Sequence, residues 1–185
     1  MTRKLRPADF DRISFYAPRV KSLGLRLSQG YYLDHVALAM IFQHYQSTKC
    51  TLLPALRDLK IGLHEFRGLA MYPRLVLGPN VRSVTVSFTR SDEDEDGCVP
   101  WDNIAAVLKP HASKLTLFEV LPAEEKHENR LFYGSPGSMM DLCCLFRCLT
   151  VLDTCAFEMT HDVLEHLATI PFLQSLNCTV TLKEL

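Results

Sequence analysis

Val81-Arg82-Ser83-Val84-Thr85-Val86-Ser87-Phe88 sets Val81, Val84, Val86 and Phe88 against Arg82, Ser83, Thr85 and Ser87. Side chains that alternate with a period of two belong to a β-strand with one buried face. Reduced to residue type, its first six positions read apolar-x-x-apolar-x-apolar, and the chain writes that phrase six times. The other copies are Val20-x-x-Leu23-x-Leu25, Leu56-x-x-Leu59-x-Ile61, Ala112-x-x-Leu115-x-Leu117, Leu149-x-x-Leu152-x-Thr154 and Leu173-x-x-Leu176-x-Cys178. Their starts lie 24 to 37 residues apart, and self-similarity at such a period is the signature of stacked repeats. The copies usually follow a proline or a polar turn.

Working outward, the connectors read as mostly helical. Residues 7–16 place Phe10, Ile13 and Tyr16 at near-helical spacing, and Pro18 forbids continuation. Residues 31–46, 101–108 and 138–147 are further helices, the second framed by Pro100 and Pro110. In the last unit Thr160 is a candidate N-cap, Val163, Leu164 and Leu167 form an apolar stripe, and Pro171 lies beyond the end. Glycine and proline break 66–79 into short pieces, Ser91 to Gly97 is an acidic loop, and 122–137 is a polar insertion. The strands are expected over 20–27, 56–63, 81–88, 112–120, 149–156 and 173–182.

Strands that alternate with helices imply a parallel sheet with right-handed crossovers. L-x-x-L-x-L is moreover the strand phrase of leucine-rich repeats. The fold class expected is therefore α/β, a leucine-rich-repeat solenoid in one domain, 1–185, with units starting near 20, 56, 81, 112, 149 and 173. A curved parallel sheet would line its concave side, with helices and irregular connectors on the convex side. Leucine fills 29 positions, well above its ordinary share, which suits a shared interior that no single unit could bury alone.

The stretches Phe10 to Leu23, Leu53-Pro54-Ala55-Leu56-Arg57-Asp58-Leu59 and Leu77-Gly78-Pro79-Asn80-Val81-Arg82-Ser83-Val84 resemble one known family. So do Leu149-Thr150-Val151-Leu152-Asp153 and Pro171-Phe172-Leu173-Gln174-Ser175-Leu176. They are similar to the leucine-rich-repeat portion of the F-box-like proteins of mushroom-forming fungi, over about residues 10–182. The resemblance implies a substrate-recruiting arm of a cullin-RING ubiquitin ligase, tied to the ligase adaptor through an F-box upstream. Residues 1–19 contain no such module. The asparagine slot of regular repeats holds Ser28, His64, Thr89, Val120, Phe157 and Thr181, so irregular repeats are expected.

The net charge is -1, which gives no overall basic field for nucleic acid or an anionic membrane. No stretch approaches a membrane span, and the N-terminus lacks the apolar core of a secretory signal. The seven cysteines form no paired framework, which suits an intracellular setting, cytoplasmic or nuclear, with free thiols. Cys143, Cys144 and Cys148 do not converge on a helix. His161, Glu165 and His166 lack metalloprotease spacing, and Asp92 to Asp96 lacks the glycine placement of a calcium loop. No catalytic residue, metal or cofactor is implied, and the chain is read as not an enzyme.

Function is expected on the polar face of the strands. Arg26, Asp58, Lys60, Thr85, Lys114, Thr116, Phe118, Asp153 and Asn177 are the candidate contacts for a protein or peptide, with Arg26, Lys60 and Phe118 as anchors. The rival readings are an orphan repeat fragment without a ligase role and a small cytosolic thiol enzyme.

Overall fold

The structure is a computed structural model that describes residues 6–26, 40–41, 43–45, 51–63, 76–88, 101–121 and 136–179. Six strands are formed: β1 (Ser22–Arg26), β2 (Asp58–Leu63), β3 (Ser83–Phe88), β4 (Leu117–Leu121), β5 (Val151–Glu158) and β6 (Ser175–Thr179). They make a single parallel sheet whose spatial order equals the sequence order. Among the described residues the helices with defined bounds are α1 (Pro7–Tyr16), α2 (Trp101–Leu108), α3 (Pro136–Cys143) and α4 (His161–Ala168). The class is α/β, as expected.

A repeated turn precedes five of the six strands. Val20, Leu56, Val81, Leu115 and Leu173 each donate their backbone N–H to the carbonyl three residues back, on Ala17, Leu53, Gly78, Ala112 and Ile170. At four of these turns the second residue is proline, Pro18, Pro54, Pro79 or Pro171, whose fixed φ suits that position. The chain then crosses to the preceding strand by a shared hydrogen bond. The Lys21 carbonyl accepts the N–H groups of Arg57 and Asp58 at 2.8 and 3.1 Å. Arg57, Arg82, Thr116 and Thr150 carbonyls each accept two N–H groups from the next unit in the same manner. This backbone ladder runs across the whole sheet and fixes its register.

Register puts Leu23, Leu59, Val84, Phe118, Leu152 and Leu176 in one row. Leu59, Ile61, Val84, Val86, Phe118, Val120 and Leu152 are buried and meet apolar residues of the helices in one cluster. α2 contributes Ile104, Val107 and Leu108, α3 Met139 and Leu142, and α4 Val163 and Leu167. Each such side chain stabilises the fold by roughly 1.5–3 kcal/mol relative to exposure. Phe118 also packs on Phe146, with ring centroids 5.5 Å apart.

Several expectations need correction. The fourth strand starts at Leu117, not 112, because Ala112–Lys114 forms a 3₁₀ turn. Its phrase is Leu115-x-x-Phe118-x-Val120, three residues later than the sequence reading. Pro136 and Gly137 open α3 rather than closing an insertion, and that helix stops at Cys143. Thr160 stands at the N-cap of α4 with extended backbone, yet its hydroxyl reaches Met140 Sδ at 3.4 Å instead of capping. The helix expected over 31–46 is described only at Met40, Ile41 and 43–45, which are helical. Most of 66–79, the acidic loop and residues 122–135 lie outside the described residues.

Candidate functional site

Residues that precede or follow each inward side chain share the other face of the sheet. Ser22, Asp58, Ser83, Leu117, Val151 and Ser175 form one row there, and Gly24, Lys60, Thr85, Glu119, Asp153 and Asn177 the next. Asp58, Lys60, Thr85, Asp153 and Asn177 therefore stand together as the alternation predicts. Lys60 and Asn177 are exposed and Asp58 and Asp153 half-buried. Thr85, at 5 % exposure, is sunk between its neighbours. Arg26 ends β1 opposite Gly62, and its side chain lies outside the described residues.

Three candidates leave the face because of the shift in the fourth unit. Phe118 is 0 % exposed and belongs to the interior, so it cannot anchor a ligand. Lys114 is exposed in the turn before β4. Thr116 sits just ahead of β4, where its N–H and its hydroxyl both donate to the Arg82 carbonyl, at 2.7 and 3.2 Å. Glu119 takes the slot assigned to Thr116, and Leu117 that of Lys114.

Glu119 changes the character of the second row. It is the registered neighbour of Asp153, so two carboxylates stand side by side, an arrangement that is unfavourable between strands without compensation. Donors flank them on both outer sides. The Thr85 hydroxyl donates to Glu119 Oε2 at 2.9 Å and Asn177 Nδ2 donates to Asp153 Oδ2 at 3.2 Å. The row thus offers Lys60 toward one end and a hydrogen-bonded carboxylate pair toward the other.

The groups with chemical potential are spread apart. Cys143 is buried and its thiol is pushed up to about 12, first by burial and then by the neighbouring Cys144 and Cys178. Cys144 and Cys148 are exposed. His161 Nε2 lies 3.1 Å from Glu165 Oε1 on an exposed side of α4, whereas His166 Nε2 is buried without a hydrogen-bond partner. Among the described residues no three His, Cys, Asp or Glu side chains converge on a point where a metal could sit, and no helix is long and apolar enough to cross a membrane.

No family model, curated protein or solved structure matches the chain.

Proposed function

We propose that the chain is a leucine-rich-repeat solenoid that binds a protein or peptide on the polar face of its sheet and performs no chemistry itself. The observation that carries this reading is the run of six parallel strands in sequence order. β2 to β6 are entered through the same backbone ladder, and β2 to β5 bury the same phrase position as Leu59, Val84, Phe118 and Leu152. A unit of that kind stacks on its neighbours alone, which produces an extended face rather than a closed pocket. Lys60, Glu119, Asp153 and Asn177 are the contacts on that face, with Asp58 and Thr85 beside them.

The sharper form of the proposal is that the bound protein is a substrate presented to a cullin-RING ubiquitin ligase, in an intracellular compartment. Its support is the sequence resemblance to fungal F-box-like proteins. Purified ligase adaptor is the direct test. Recovery of the adaptor with the chain, or with the chain joined to its native upstream coding sequence, supports the ligase role. Failure of both to recover it overturns that role and leaves a repeat module working outside the ligase.

A further inference from the structure

We infer that the rim of the sheet where the strands begin is a docking surface for a short acidic segment of a partner protein. The ladder brings Lys21, Arg57 and Arg82 to adjacent positions, because each carbonyl accepts the N–H of the next residue in that series. Arg19, Lys114 and Arg147 lie in the turns that lead into β1, β4 and β5. All six side chains are exposed. Among the described residues none of the six makes an ion pair. Asp58, half-buried beside Arg57, is the carboxylate nearest in sequence and does not bridge to it.

Two of these cations are held in place by the turns. Arg82 Nη1 donates to the carbonyls of Pro79 and Val81 at 3.3 and 3.2 Å, and the Arg19 guanidinium lies 4.3 Å from the centre of the Phe15 ring. Such pre-positioning lowers the ordering entropy that binding costs. His111, close to Lys114, is held below its ordinary pKa first by burial and then by that lysine. With 21 acidic and 20 basic residues in the chain, cations gathered on one rim leave the remaining surface net negative.

That segregation selects the ligand. Strands spaced by about 4.8 Å place the first five strand starts along ~20 Å, which about six residues of extended peptide would cover. Arginine forks pair with carboxylates through two parallel hydrogen bonds. A long polyanion such as nucleic acid would run past the rim onto net negative surface, whereas a short acidic segment spans the exposed cations, with Asp58 half-buried among them. The inference rests on the reading of the chain as a protein-binding module, but it names a surface distinct from the polar face.

The test is fluorescence anisotropy of the full chain with a fluorescein-labelled decapeptide of alternating Asp and Glu. Binding is expected at low ionic strength, weakening as salt is added. Arg57→Glu with Arg82→Glu should lower affinity at least about tenfold, as opposing charge on a steering surface does. Lys21→Glu with Lys114→Glu provides a second pair at exposed positions, and the melting curve of each variant checks its fold. Absence of binding, binding indifferent to both pairs, or tighter binding of a ten-nucleotide oligothymidylate overturns the inference. No ligase component takes part, so this result and the adaptor result are independent.

Discussion

Gly78 occupies the turn slot that other units fill with Ala17, Leu53, Ala112, Phe146 and Ile170. A Cβ there would meet Thr51 Cγ2 at 2.9 Å and the Leu53 carbonyl at 3.5 Å, so the threonine methyl already fills the space. Gly78→Ala should destabilise by about 1–3 kcal/mol through overpacking. Thr51→Ser, which deletes the opposing methyl, should recover most of that loss in a double-mutant cycle read by denaturant unfolding. Phe118 poses the second question at this scale. Phe118→Ala is expected to cost about 3–5 kcal/mol, and Leu117→Ala, at a half-buried position, clearly less; the opposite ranking would restore the earlier register. That register was ambiguous in the sequence because Ala112-x-x-Leu115-x-Leu117 and Leu115-x-x-Phe118-x-Val120 fit one template. The chain takes the second, since it buries an aromatic ring and Val120 where the first would leave both on the polar face.

The proline turn is the element that could have resolved the ambiguity. It stands at Pro18, Pro54, Pro79 and Pro171, always one residue after the slot that Ala112 occupies in the fourth unit. There the equivalent residue is Ser113, while Pro110 closes the exit from α2, where His111 N–H bonds to the Leu108 carbonyl at 2.8 Å. Pro110 frames the end of α2, as its position in the sequence implies, and so does not mark the turn that opens the fourth unit. A prediction follows from the geometry shared by Ala17–Arg19 and Ala112–Lys114, both 3₁₀ turns closed by the same N–H bond to their first carbonyl. Ser113→Pro should fit as Pro18 does and stabilise by about 0.4–1 kcal/mol by restricting the unfolded chain. At this chain length 1 kcal/mol corresponds to roughly 2–4 °C in melting temperature. A fall in melting temperature would show that the two turns differ. Helices were legible where proline framed them, as at α1 and α2. The start of α3 was not, because Gly134-Ser135-Pro136-Gly137 reads as a turn although Pro136 is well placed in a first helical turn.

At the scale of the molecule, a single apolar cluster runs from Ala17 to Ile170, which makes cooperativity the property to measure. If neighbouring units shared little interior, each would open alone and a change in β2 would not be felt at α3. Leu59 and Cys143, both 0 % exposed, are suited to decide this. Cys143 has three barriers to reaction in the folded state: burial, the raised thiol, and a position within the cluster. It should react with a thiol reagent only from opened molecules, while exposed Cys144 and Cys148 react at once. Leu59→Ala is expected to cost about 2–5 kcal/mol. Transmitted in full, that loss accelerates Cys143 labelling by roughly 30- to several-thousand-fold. The same variant should lower the denaturant midpoint by an equivalent amount. Labelling that stays at the parent rate while the midpoint falls would mean that the units at the two ends of the sheet unfold separately. In that event the ladder of shared carbonyls would set register without coupling stability, and the polar face would have no common rigid base. Labelling of Cys143 as fast as Cys144 in the unsubstituted chain would remove the buried helix-to-sheet contact itself.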